Sequence, residues 1–434
     1  MSTVSFIHLS DIHFVKESGK QGDIDNDLRK AILTDIEINA KKTLDKIDGV
    51  LISGDIAYSG NEKEYDIATE FLKEITDIFE IPKSSVYCVP GNHDVNQDVA
   101  KESHVIYQIQ CDLNNQSSLD NADKIFQKNI YDKYSSELLF KPIEKYNNFA
   151  SKFGCETDSG KFYWIRQFYL DYGMKLNIQG INSCFISNAD DHKVKLGEVR
   201  PMYVGQAQIP SRYLDTVSMI LCHHPPECWK FYDDLCGKLN RRADIQLYGH
   251  KHTQNIELTD ENVTICSGAT HPTRGNDWNP RYNWITLECI KIDEKRVIKV
   301  QIFPRILDKF RDRFIPEKDE IYIEHLLHID KKRDEHLIDK PNNIPLIRTD
   351  RKGVFEQKNR EYDKSFNDGD LIYDFFDLTK FKQTKILNEL NLLDEKDWGK
   401  PYTRIIKNVI EKAAESNLLR EFKLKVMEGD KKDA

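Results

Sequence analysis

Five short polar clusters punctuate the first 252 residues, and each stands at the end of an apolar, strand-like run. They are Asp11-Ile12-His13 after VSFIHLS, Gly54-Asp55 after GVLIS, Gly91-Asn92-His93-Asp94 after SVYCVP, His223-His224-Pro225 after SMILC, and Gly249-His250-Lys251-His252 after IQLY. Imidazole and carboxylate without thiolate form a hard-to-borderline donor set that suits Mn, Fe, Zn or Ni better than Ca or Mg. A metal centre that hydrolyses phosphate esters needs that set. In an extended segment side chains alternate faces, so Asp11 and His13 are expected on one side, as are His250 and His252. Gly54, Gly91 and Gly249 each precede a candidate ligand, where a residue without Cβ lets the backbone turn sharply or approach closely. Taken singly, a buried His is usually a hydrogen-bonded core residue and an Asp before a turn usually a turn former; five clusters in this order carry the weight.

The ordered set D-x-H, GD, GNHD, HHP and GHxH resembles the calcineurin-like metallophosphoesterase superfamily over about the first 305 residues. The resemblance implies that Asp11, His13, Asp55 and His252 hold one metal and Asp55, Asn92, His223 and His250 the other, with Asp55 bridging. His223 takes the ligand position because it stands in His-x-Pro register, and His224 packs or hydrogen bonds nearby. The implied cofactors are two divalent ions, Mn, Fe, Zn or Ni, with Mn preferred. Such a pair binds phosphate oxygens and generates hydroxide near neutral pH, so the nucleophile is water and not a side chain. His93 is implied to hydrogen bond the phosphate or protonate the leaving oxygen. Asp94 is implied to orient His93; the alternative for Asp94 is a helix N-cap.

Departures within the superfamily narrow the subgroup. Tyr58 stands in the GDxxY register of purple acid phosphatases, but His13 fills the matching ligand place, so Tyr58 is read as a packed aromatic. GNHD, with HLSDIHF and GDIAYSG before it, looks closest to the bacterial branch containing cyclic nucleotide phosphodiesterases, then to the branch of DNA double-strand-break repair nucleases. The expected activity is therefore hydrolysis of a nucleotide phosphodiester, with a nucleic-acid nuclease as the alternative; a phosphomonoesterase and a silent scaffold come after these. The chain carries 63 Lys plus Arg against 72 Asp plus Glu, a net charge of −9. A duplex-binding protein normally shows a basic face, and the basic stretches here are local, at Arg241-Arg242 and over 299–313.

These ligands need a scaffold. At 434 residues the chain exceeds the size at which one core keeps growing. Helical patterns over 25–47 and 61–80 separate the first three clusters, and strand patterns resume at KLNIQGINS, SMILC, DIQLY, VTIC, NWITLECIKI and VIKVQIF. This alternation predicts an α/β fold, a four-layer αββα sandwich over 1–307 with its ligands on loops at one edge. A mostly helical insertion over about 97–170 either selects substrate or buttresses the fold. In the loop from Gly268 to Arg274, His271 or Arg274 could reach a bound phosphate, the alternative being a solvated turn. A charged connector is expected over 308–365 and a helical module over 366–434, where Phe375, Leu378, Phe381, Ile386, Leu387 and Leu390 recur at helical spacing. That module resembles the small death-like adaptor domains found beside bacterial signalling and defence enzymes, which implies a protein partner. Nine cysteines without a CxxC pair point to a reducing compartment. With no signal-like segment and no bilayer-length apolar run, a cytoplasmic protein without membrane association is expected.

Overall fold

The computed structural model describes residues 2–330 apart from 21, 22, 24, 193–201, 214, 272–278, 319 and 320, and in the C-terminal part 380–392 and 418–430 with scattered positions from 375 to 416. The chain divides into two compact units, Met1–Asn342 and Asn343–Ala434.

Two mixed sheets form the first unit. The central strands β1 (Thr3–Leu9), β2 (Gly49–Ile52) and β3 (Val86–Cys88) lie parallel, and β1 pairs antiparallel on its other side with β10 (Arg281–Ile292). Beyond β10 come β11 (Lys295–Asp308), β12 (Arg313–Pro316) and β13 (Ile323–Leu327), all antiparallel. The second sheet runs β4 (Tyr163–Tyr169), β5 (Lys175–Ile181), β6 (Thr216–Leu221), β7 (Ile245–Tyr248), β9 (Val263–Cys266) and β8 (Asn255–Leu258), with β5, β6, β7 and β9 parallel. The central strands are buried along nearly their whole length, as expected where both faces of a sheet are covered, whereas edge strand β4 alternates exposed positions with half-buried ones after the buried Trp164. The sheets meet face to face through Phe6 against Phe168, with ring centroids 5.3 Å apart, and through Trp164, whose indole N–H donates to the Cys88 carbonyl at 2.9 Å.

The first two predicted helical stretches are present. The first consists of α1 (Asn26–Asp35), a π turn over Ile36–Ala40 and α2 (Lys41–Leu44); the second is α3 (Glu62–Ile78). An Asn61–Glu64 capping box starts α3, and Tyr65, Ala68, Leu72 and Ile75 form its buried stripe, the spacing of an amphipathic helix.

The stretch between 97 and 170 differs in its second half. Helices α4 (Gln97–Glu102), α5 (His104–Asn114), α6 (Leu119–Tyr131), α7 (Lys133–Phe140) and α8 (Glu144–Ala150) fill 97–150, but 163–169 pairs with β5 as a strand. Aromatic and β-branched residues in YWIRQFY suit a half-buried pleated edge. These helices brace the loop after β5: Phe126 and Phe140 flank Phe185, and the Gln110 amide donates to the Ser187 carbonyl at 3.1 Å. The charged stretch after 308 is corrected too. Its described part supplies β12 and β13, because an edge strand can keep Arg313, Glu324 and His325 toward solvent while Phe314 and Leu327 are buried. The remainder, 331–365, lies outside the described residues.

In the second unit, helices Lys380–Glu389 and Leu419–Asp430 contribute to a small core of Phe375, Leu387, Val409 and Phe422. Among the described residues no helix is long and apolar enough to cross a membrane.

Candidate metal centre

All five polar clusters follow the carboxyl ends of parallel strands: β1, β2 and β3 in one sheet, β6 and β7 in the other. Carboxyl ends of parallel strands are where open α/β sheets place ligands. The loops are stitched together by the backbone. Asp11 N–H donates to the Gly54 carbonyl at 3.1 Å, His13 N–H to Asp55 at 3.0 Å, and Gly249 N–H to His223 at 3.0 Å.

The predicted ligands converge, though not by the route expected. Asp11, His13, Asp55, His250 and His252 all have positive φ, between 51° and 71°, so they turn in left-handed conformations past their strands instead of continuing extended. Asp and His tolerate that region better than most residues, and such strain concentrates where surrounding structure enforces it for function. Gly91 shows how tight the approach is: a Cβ there would lie 2.1 Å from Asp55 Oδ1.

Asp55 is central. Its Oδ2 lies 3.3 Å from His13 Nε2 and 3.3 Å from His223 Nε2. Asn92 Oδ1 lies 3.0 Å from His223 Nε2 and 3.1 Å from His250 Nδ1, and Asp11 Oδ1 lies 3.3 Å from His252 Nε2. Donors about 2.1 Å from one ion, at right or tetrahedral angles, stand about 3.0–3.4 Å apart. These separations therefore have the size of edges of coordination polyhedra, and Asp55 sits on both groups. The nitrogens facing away from the ligands are anchored: His13 Nδ1 lies 3.1 Å from the His271 carbonyl and His223 Nδ1 2.9 Å from the Ser53 carbonyl. Such bonds fix the tautomer that leaves Nε2 as the ligand atom.

Electrostatics agree with a cation site. Asp11 and Asp55 are buried, and among the described residues no lysine or arginine pairs with either. Burial alone would raise the Asp55 carboxyl, but the His223 and His13 rings hold it well below the ordinary carboxylate range. Burial would lower His223, yet Asp55 and Asp11 raise it to about 9. His250 is pushed down to about 4, first by burial and then by the His223 charge. Two buried carboxylates among imidazoles call for positive charge inside the cluster. The donor chemistry and spacing thus fit metal binding: Asp11, His13 and His252 stand together, as do Asp11, Asp55 and His223, each group with donor atoms within 4.8 Å of one another.

His93 stands at the edge of this cluster, its ring grouped with His13 and Asp55. It is half-buried, its ring centroid 4.8 Å from that of His13, and its backbone N–H donates to Asp55 Oδ1 at 2.8 Å. Its Nδ1 is 2.8 Å from the Tyr58 carbonyl. Asp94 does not orient it. The Asp94 carboxylate accepts the N–H groups of Gly91 and Ala57, both at 2.9 Å, and of Ile56 at 3.2 Å, and the Tyr65 hydroxyl at 3.0 Å. Burial and the Asp55 charge raise it to about 6 against the pull of those amides. Asp94 is a latch between the loops after β2 and β3, and Asn96 caps α4.

Other expectations resolve as follows. His224 is buried, with Nδ1 2.8 Å from Ser183 Oγ, while its Nε2 has no hydrogen-bond partner. His271 serves the site through its carbonyl, its ring lying 2.9 Å from Asp25; Arg274 lies outside the described residues. Tyr58 is not packed away but 46% exposed, its ring 5.3 Å from the His93 ring and tilted 33° to it. Sequence reasoning missed the supporting groups, the carbonyls of Ser53, Tyr58 and His271 and the Ser10 hydroxyl on Asp11. Backbone carbonyls leave no residue-type signal; only Ser10, adjacent to Asp11, could have been found.

Residues 368–428 match the GTPase-associated adaptor domain. A metallophosphoesterase-like protein of Bacillus subtilis, YydB, is 27% identical over 284 residues, 61% of this chain and 53% of the relative. The chain thus spans about half the length of that curated relative. Among solved structures, GAP50 of Plasmodium, the anchor in the inner membrane complex, aligns over 80% of this chain and 98% of its own at 11% identity and a TM-score of 0.36. Vacuolar Protein Sorting 29 of Cryptosporidium parvum aligns over 75% and 98% at 12% identity and a TM-score of 0.31. The calcineurin-like phosphoesterase family matches residues 4–254, a span that runs from β1 through the last candidate ligand, and the chain belongs to that family.

Proposed function

We propose that this protein is a metal-dependent phosphodiesterase acting on a nucleotide phosphodiester. The observation that carries the reading is Asp55 Oδ2 placed between His13 and His223 at 3.3 Å from each, a carboxylate shared by two donor groups. Two divalent ions bound there supply Lewis-acid polarisation of phosphate oxygens and activation of water. The chain's own residues orient and protonate. The Ser53 and His271 carbonyls hold the ligand imidazoles in one tautomer, and the Tyr58 carbonyl takes the Nδ1 proton of His93. That bond makes Nε2 the nitrogen through which the His93 imidazolium gives a proton to the departing oxygen.

A ring-bearing substrate is supported by Tyr58, whose exposed ring stands beside His93. Stacking of a base on an aromatic side chain contributes about 1–3 kcal/mol. Tyr58→Ala is therefore expected to raise KM for a nucleotide diester about ten-fold and to leave KM for glycerophosphoglycerol, which has neither a ring nor a cation for the aromatic face to hold, unchanged; Tyr58→Phe should keep both. The carbonyl that holds His93 survives either substitution, so an equal loss on both substrates would remove the stacking role.

The function itself is tested with chelated protein restored by Mn²⁺, comparing bis(p-nitrophenyl) phosphate with p-nitrophenyl phosphate. Metal-dependent preference for the diester is expected, and preference for the monoester would make the protein a phosphatase. For residues 366–434 we propose docking to a protein partner, supported by the match to an adaptor domain whose description names association with GTPases.

A further inference from the structure

At the end of β6 remote from the metal centre lies a basic recess. Arg212 precedes β6, Thr216 and Ser218 lie on it, Arg241 and Arg242 end helix α9 (Tyr232–Arg242), and Asp244 begins the turn into β7. β6 spans about 17 Å and leads at its other end to His223, so the recess is separate from the candidate ligands.

Charge there is unbalanced. Arg212 and Arg241 are exposed and form no ion pair among the described residues, and Arg242 donates to the Pro210 carbonyl at 3.3 Å. The acids nearby are engaged. Arg296 takes Asp215 at 2.7 Å and Asp330 at 2.9 Å, and Asp244 accepts the Ser218 N–H at 2.9 Å. Arg212, Arg241, Arg242 and Arg296 stand against Asp215, Asp244 and Asp330, which leaves a surplus of one positive charge. The carbonyl end of α9 favours cations in its last turn, so Arg241 and Arg242 are held there without acids of their own. Ile329, past β13 of the other sheet, also lines the recess, which places it at the seam that Arg296 clamps.

We propose that this recess is a second anion site for inorganic phosphate or a small phosphate monoester. The three terminal oxygens of a phosphate suit several guanidinium forks together with the Ser218 hydroxyl. A carboxylate has two oxygens and would use only part of this set.

The test is calorimetric titration of inorganic phosphate into the full-length, Mn²⁺-loaded protein, beside Arg212→Gln/Arg241→Gln and Asp55→Asn. The arginine pair should lose one class of phosphate site, with affinity there falling about ten-fold or more, while turnover on bis(p-nitrophenyl) phosphate stays at the wild-type value. Asp55→Asn should keep that class, which separates this site from the metal centre. Unchanged phosphate binding by the arginine variant would overturn the proposal, as would loss of all phosphate binding in Asp55→Asn. Phosphatidylcholine vesicles doped with phosphatidate form the second arm: capture by vesicles without binding of free phosphate would overturn the soluble ligand. Both arginines are exposed, so the variant is expected to fold, and an unaltered circular dichroism melt verifies it.

Discussion

Asp55→Asn is expected to lose both metal positions and almost all turnover. Asp55 Oδ2 is within 3.3 Å of His13 and His223, and Oδ1 holds the His93 backbone N–H at 2.8 Å. The amide has nearly the same shape, so packing is preserved. What goes is the charge that both groups of imidazoles face. Removing a partner that merely supports a ligand typically costs about 10–100-fold in metal affinity or activity, and a carboxylate shared by both positions should cost more than that. Metal content by mass spectrometry, measured alongside kcat, checks the expectation; wild-type turnover with two bound ions would remove Asp55 from the bridging role. The substitution also separates structure from chemistry, because the bonds from residues 11–14 to residues 54–56 run through backbone atoms and are unaffected.

His93→Ala should behave differently, retaining metal and losing rate. The His93 ring stands with His13 and Asp55, and its Nδ1 is anchored on the Tyr58 carbonyl, a placement we assign to proton donation and not to metal binding. General acid catalysis by a positioned imidazole is worth roughly 10²–10⁴-fold, which is the expected fall in kcat. Two measurements decide the role. Metal content must stay near wild type, and the loss must shrink on a diester whose leaving group needs no proton, such as one releasing p-nitrophenolate, relative to a nucleotide diester with an alkoxide leaving group. Loss of metal equal to that of Asp55→Asn would make His93 structural.

Much of this centre was legible before the structure because imidazole and carboxylate side chains announce themselves by type and by position after apolar runs. Asp11, His13, Asp55, Asn92, His223, His250 and His252 stand together as the motif order implied. The reason given for their convergence was wrong, since alternation along a strand cannot anticipate five left-handed residues past strand ends. Asp94 was misjudged for a related reason. Sequence places it next to His93, but the tight turn over Asn92–Asp94 aims its carboxylate at the amides of Ile56 and Ala57 instead. Tyr58 was misjudged because exposure depends on which loops surround a ring, and one residue's type does not encode that. Strands β4, β12 and β13 escaped notice because edge strands tolerate charge on their outer faces, so their pattern resembles that of a loop.

β1 is both the first strand of the chain and an interior member of its sheet, bordered by β2 and by β10. The partner that completes it, Arg281–Ile292, is translated some 270 positions later. At typical elongation rates of about 5–20 residues per second, roughly 14–54 s pass before Phe6 and Ile7 can meet Ile285 and Trp284, their register partners. The nascent chain therefore spends that interval with an apolar strand open on one side and with Asp11 and His13 lacking His250, His252 and the His271 carbonyl. The candidate metal centre is thus assembled only after most of the first unit has been made, and until then its first two ligands and the open side of β1 lack their partners.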